Sequence, residues 1–295
     1  RMLSDDRARD GVRAFFVDMW DLHGLDEMSK DPLIFVYMSD ELGESAREET
    51  LAIVEQHVFD EGGDYRDLML TQDVWIDRRL ASIYNLPAPS MDGFGWTTLP
   101  DEDRRRGLFG QVSFLALQAH AVSTSVTLRG LFVRENLLCQ SIPLPPADLN
   151  TSIPEASDDL PTMRDRVEQH MTDPTCSGCH QLTDPLGLGL ENFDGIGRWR
   201  TSENGVAIDA SGDLNGETWT DAWGLAEVVR NHQDLGPCLS DTLFEYAAGH
   251  VITSGEAEIS TWHADGFAQE GYSVLRLVRE LLLSPAFRQV GEVEP

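Results

Sequence analysis

The run Cys176-Ser177-Gly178-Cys179-His180 constrains this chain more than any other. Two thiols three positions apart share one face of a helical turn, and an imidazole follows directly. Cys-x-x-Cys-His is the attachment signature for haem c: both cysteines bond covalently to one porphyrin edge, and the histidine ligates iron as the proximal ligand. Ser177 and Gly178 are small enough for a macrocycle edge to approach the backbone, and Pro174 stands where a helix start tolerates proline. Asp184-Pro185-Leu186-Gly187 reads as a turn, from which a carbonyl is expected to accept the other imidazole N–H. The pattern predicts haem c bound at Cys176 and Cys179, with His180 on its iron.

Two other chemistries use this spacing. A dithiol redox site requires a thioredoxin-like βαβ setting, whereas the flanks here read as helix and loop. A structural zinc site needs two further ligands in paired spacing, and no second Cys-x-x-Cys or any His-x-His exists. For the sixth iron ligand, elimination helps: none of the eight methionines lies after Met171, so a downstream methionine is excluded within these residues. His232, His250 and His263 lie downstream; His120, His170 and Met163 lie upstream. His170 and Met171 are too near Cys176 to cross to the distal face. His120, closing an apolar helical stretch, is the first choice for the distal iron position and His250 the second. A structural role competes for each, and an open five-coordinate iron is the alternative.

Helical periodicity dominates elsewhere, and composition divides the chain into an N-terminal helical region (1–90), a central region with the motif (91–204) and a C-terminal region (205–295). In the first, Val12, Phe15, Phe16, Met19 and Trp20 line one helical face, and Leu51, Val54 and Val58 another. Residues 64–70 and 74–84 predict two more helices; His23 and His57 read as structural. In the second, helices are predicted over 106–120, 129–138 and 161–171, with Ser141-Ile142-Pro143-Leu144-Pro145-Pro146 extended between them. In the third, Asn204-Gly205 and Asn215-Gly216 flank β-prone pieces at 206–208 and 217–220, predicting a small hairpin. Helices follow over 222–231, 239–248 and 272–283, the last presenting Leu275, Val278 and Leu282. Ser211 to Gly216 has the start of a calcium loop, but Ala222 stands at the twelfth position where a carboxylate is needed, so it reads as a turn. The fold class is mainly α, a multi-subdomain helical protein carrying a cytochrome c-like attachment segment.

Charge excludes some partners. With 51 acidic against 22 basic residues the net charge is −29, which repels nucleic acid and anionic membrane surfaces. No apolar run reaches bilayer length. The chain opens on Arg1-Met2-Leu3-Ser4 without an apolar leader, so it reads as the interior of a longer polypeptide with any export signal upstream.

Several runs together resemble a family. Arg106-Gly107-Leu108, Ser113-Phe114-Leu115-Ala116-Leu117 and Val133-Arg134-Glu135-Asn136-Leu137-Leu138-Cys139 are similar to the central domain of large planctomycete- and myxobacterial-type cytochrome c-like proteins of unknown function. So are Asp173-Pro174-Thr175 leading into the motif, Leu190-Glu191-Asn192-Phe193-Asp194 and Gly197-Arg198-Trp199-Arg200. The first and third regions resemble that family's flanking domains. The resemblance implies export to the periplasm or cell surface, a largely helical fold, haem c at Cys176, Cys179 and His180, and an upstream cytochrome-like module in the same polypeptide. Two positions depart from the family pattern: Thr183 stands where methionine is expected and His250 where arginine is.

Cys139 and Cys238 are the cysteines left outside the motif. Because the resemblance places the protein outside a reducing cytosol, they are expected to form a disulfide; two separate buried thiols are the alternative. The expected function is electron transfer with a redox partner protein through a single haem. A haem enzyme of peroxidase or oxygenase type, with Arg129, Arg134 and His120 around an open distal face, is the first rival. A surface-assembly module with a vestigial haem site is the second.

Overall fold

Burial of one apolar stripe per helix organises the first region. The computed structural model describes residues 2–100, 104–143 and 153–288. In α1 (Asp6–Met19), Val12, Phe15, Phe16 and Met19 are buried, and Trp20 follows them into the core. Asp5 caps this helix by accepting the Arg7 N–H at 3.1 Å. In α2 (Leu42–Glu55), Leu51 and Val54 face inward, and a π-helical turn (Gln56–Glu61) carries the same stripe on to Val58.

A strand replaces part of a predicted helix. Residues 74–84 divide at Asp77: β1 (Asp73–Ile76) pairs antiparallel with β2 (Gly95–Thr98), and α3 (Arg78–Tyr84) starts only where the Asp77 carboxylate accepts the N–H groups of Arg79 and Leu80. Val74 and Ile76 are buried with Trp75 between them half-buried, the two-residue period of a strand rather than the helical one. The predicted helix over 106–120 is likewise shorter, namely a 3-10 turn (Leu108–Gly110) followed by α4 (Val112–Leu117). Residues 129–138 belong to α5 (Val126–Phe132), which widens into a π-helical stretch (Val133–Leu137).

In the third region each Asn-Gly pair makes its own hairpin, so there are two where one was expected. β3 (Ser202–Glu203) pairs with β4 (Val206–Ala207), and β5 (Gly212–Leu214) with β6 (Glu217–Trp219). Asn204, Gly205, Asn215 and Gly216 all have positive φ, as two-residue hairpin loops demand. Then come α8 (Ala222–Arg230), α9 (Leu235–Ala248), α10 (Ala257–Gln269) and α11 (Val274–Leu283). α10 has few large apolar residues and a glycine inside it, so no periodicity announces it; it buries only His263 and Phe267. In α11 the buried stripe is Val274, Leu277 and Leu281, one position before the face predicted, while Leu282 is exposed. The triple leucine 281–283 fits either face by spacing alone.

Among the described residues the fold is therefore mainly helical, 54% helix against 8% strand, with small two-stranded antiparallel sheets. One buried apolar cluster runs from Val12 to Leu281 and draws on all three regions. A second, smaller cluster of Val126, Met163, Val167 and Leu188 joins α5 to the helices around the motif. Cys139 and Cys238 are bonded, with Cα atoms 5.3 Å apart, tying the end of the α5 segment to the first turn of α9. Among the described residues no helix is long and apolar enough to cross a membrane.

Candidate functional site

The motif lies where α6 (Met163–Thr172) hands over to α7 (Ser177–Leu188). Asp173 makes the turn between them: its carbonyl accepts the N–H groups of Cys176 (3.0 Å) and Ser177 (2.8 Å), and its carboxylate takes the N–H of Thr175 at 2.8 Å. Cys176 is the N-cap of α7, and the N–H groups of Cys179 and His180 both reach its carbonyl at 3.2 Å. The two thiols thus stand one turn apart, both unbonded and partly exposed. The Cys179 thiol donates to the carbonyl of Pro143 at 3.1 Å, which lays the start of the proline-rich segment against the motif. Leu144, Pro145 and Pro146, also expected to be extended, lie outside the described residues.

His180 is held by a side chain, not by the expected carbonyl. Residues 184–187 continue α7 with Pro185 inside the helix, so the turn predicted there does not exist. Instead Asp184, one turn beyond His180, sets Oδ2 2.8 Å from Nδ1 of the imidazole. Asp184 is fully buried, and its Oδ1 accepts from the hydroxyls of Thr127 (2.9 Å) and Thr183 (3.1 Å). A carboxylate only accepts, so Nδ1 carries the proton and Nε2 keeps the lone pair that a metal takes. The bond to Asp184 holds the His180 pKa above its ordinary 6.5, against the partial burial that lowers it.

Two glycines bring Thr127 to Asp184. A Cβ at Gly130 would stand 1.9 Å from the Thr183 carbonyl oxygen, and one at Gly187 would stand 1.9 Å from that of Val126. α5 and α7 therefore cross backbone against backbone, a distance that no other residue type permits.

Among the other candidates, His170 is the ring that lies against His180. Their centroids are 4.9 Å apart with planes tilted by 46°. The Nδ1 of His170 is buried and finds no hydrogen-bond partner among the described residues. His120 lies past the end of α4 and is exposed; its carbonyl and that of Ala119 accept from Lys30 Nζ at 3.0 and 2.6 Å. Burial pushes the Lys30 pKa down to about 8. His250 has both nitrogens engaged, Nε2 with Glu256 at 3.0 Å and Nδ1 with the Ala248 carbonyl at 3.4 Å. His232 accepts the Asp234 N–H, and His263 is fully buried.

The arginines proposed for a distal face serve the fold. Arg129 is fully buried, with its guanidinium on the carbonyls of Leu190, Phe193 and Asp194 (2.8–3.0 Å) and near Glu191; desolvation lowers its pKa to about 10. Arg134 spans the Leu182 carbonyl and the Gln140 side chain. An apolar groove of about 740 Å³, lined by Val12, Phe15, Tyr246, Val278 and Leu282 among others, lies between α1, α9 and α11, away from the motif. Among the described residues no group of three or more His, Cys, Asp and Glu is arranged to hold a metal ion on side chains alone.

The donor set fits a covalently held haem: two free thiols one helical turn apart, then a histidine with one nitrogen anchored and the other free. Asp184 and Thr127 were not legible as side chains of this site, and His170, set aside in the sequence as too near Cys176 to cross to the distal face, lies against His180 instead. The signal for Asp184 was its i+4 spacing from His180, hidden by a proline that reads as a helix stop but is carried inside α7.

Comparison with known families bears on the same region. Residues 105–203 match the family described as PSCyt3, a protein of unknown function (DUF1588). Residues 1–86 match PSD4, also a protein of unknown function (DUF1592). Both fit the planctomycete-type family that the sequence resembles. The first carries the name of a cytochrome-like domain, and its match includes Cys176, Cys179 and His180. No curated protein and no solved structure matches the chain.

Proposed function

We propose that this chain is part of an exported c-type cytochrome that transfers electrons through a single haem, held covalently by Cys176 and Cys179 and ligated by His180. The observation that carries this reading is the pairing of two free thiols on the first turn of α7 with a histidine whose Nδ1 is fixed by Asp184. The cytochrome-like name of the family matched by residues 105–203 supports it. So does the disulfide between Cys139 and Cys238, a bond that persists in oxidising compartments such as the periplasm or cell surface. When bound, haem supplies a one-electron change at iron. The chain's own residues orient the imidazole, exclude water behind it through the buried Asp184, and hold the attachment helix against α5. The partner is a redox protein, with a further cytochrome module upstream in the same polypeptide as the nearest choice.

One observation favours a second reading. A buried carboxylate behind the proximal histidine also suits a haem enzyme with an open distal site, because it enriches the ligand in electrons. The optical spectrum of protein produced with a cytochrome maturation system separates the two. A low-spin six-coordinate spectrum supports electron transfer, a high-spin five-coordinate one supports the enzyme, and a protein that never acquires haem overturns both.

A further inference from the structure

We propose that Asp184 is the positioning residue of the proximal histidine, fixing His180 in the tautomer that turns Nε2 to iron and holding the haem at a low reduction potential through its buried charge. This rests on the haem reading above and goes beyond it, because it assigns a property of the cofactor to a residue outside the attachment motif.

Asp184 has no exposed surface, and its hydrogen-bond partners among the described residues are His180, Thr127 and Thr183. No lysine or arginine among the described residues pairs with it; His180 is its sole partner able to carry positive charge. Burying a carboxylate with so little countercharge is costly. An apolar side chain would fill the same helix–helix contact without that cost, so the fold alone gives no reason for an acid here.

The geometry gives that reason. One oxygen is committed to His180 Nδ1 at 2.8 Å and the other to the hydroxyls of Thr127 and Thr183, the latter shared with the Cys179 carbonyl at 3.3 Å. The backbone contacts at Gly130 and Gly187 lock α5 onto α7, so Thr127 stays within reach of the carboxylate. A histidine that donates to a carboxylate becomes a more basic, more electron-rich ligand than one that donates to a carbonyl. Ferric iron carries one more positive charge than ferrous iron, so a fixed negative charge behind its ligand favours the ferric form and lowers the potential.

The full-length holoprotein tests this through its midpoint potential, measured by spectroelectrochemical titration. Asp184→Asn keeps the shape and still accepts from Nδ1, but removes the charge. It should favour the reduced form at least tenfold more than the unsubstituted protein does, which for a one-electron couple is a rise of about 59 mV. Thr127→Val leaves the charge and removes one hydroxyl donor, so it should shift the potential the other way, and it carries the test if Asp184→Asn does not fold. A merely structural Asp184 would lower thermal stability and leave the potential unmoved, which overturns the proposal. Failure of the haem reading is separate: the unsubstituted protein would then hold no covalent haem to titrate.

Discussion

Replacing Glu49 by glutamine should remove a pH dependence of stability built into the core. Glu49 sits on α2 with no exposed surface. Its Oε2 accepts from the Tyr84 hydroxyl at 2.6 Å, while Oε1 has no partner among the described residues. Desolvation pushes its pKa up from 4.5 to about 8; the Tyr84 hydrogen bond and the Arg105 charge pull back only in part. A raised folded-state value means that the folded protein binds the proton more tightly than the unfolded chain. The associated stability is fully present below about pH 4.5 and is lost as the pH rises through about 8. At about 1.36 kcal/mol per pH unit, the interval between those two values sets a ceiling of about 5 kcal/mol. Glu49→Gln cannot ionise, so its stability relative to the unsubstituted protein should rise from pH 5 to pH 9 by several kcal/mol. Urea denaturation followed by tryptophan fluorescence at both pH values gives the comparison directly, because other titrating groups cancel in the difference. Parallel pH profiles for the two proteins would refute the assignment of a neutral, buried Glu49.

Three further outcomes follow from the packing. Gly187→Ala, which places a Cβ 1.9 Å from the Val126 carbonyl, should destabilise by about 3 kcal/mol or more, and retention of the unsubstituted melting temperature would show that α5 and α7 do not cross this closely. Reducing the bond between Cys139 and Cys238, 99 residues apart, should cost on the order of 4–5 kcal/mol, seen as a lower denaturation midpoint in reductant; unchanged stability contradicts it. Arg129→Met should cost about 3–5 kcal/mol by leaving Glu191 and three carbonyls short of a buried donor, and a melting temperature like the parent's would show that these bonds carry little.

Residues whose burial follows simple spacing were legible in the sequence, and those set by long-range pairing were not. Val12, Phe15, Phe16 and Met19 announce α1 because a single stripe meets the core. Val74 and Ile76 mislead because β1 exists only through pairing with Gly95–Thr98, some twenty residues on. The two Asn-Gly turns were visible, yet their separation into two hairpins depends on which short strands find each other. At the site, Cys176, Cys179 and His180 are marked by spacing alone. Asp184 was masked by Pro185, and Thr127 reaches it only because glycines fifty-seven positions apart, Gly130 and Gly187, let two helices touch. His170 follows the same logic, since its ring meets His180 through the turn at Asp173 rather than through any helical period.

The central claim is covalent haem at Cys176 and Cys179, and acid–acetone extraction of protein made with a cytochrome maturation system tests it most directly. The haem should stay with the polypeptide, and a tryptic peptide containing residues 176–180 should carry its mass. Haem that extracts into the solvent, or the same peptide recovered with both thiols free, would contradict it.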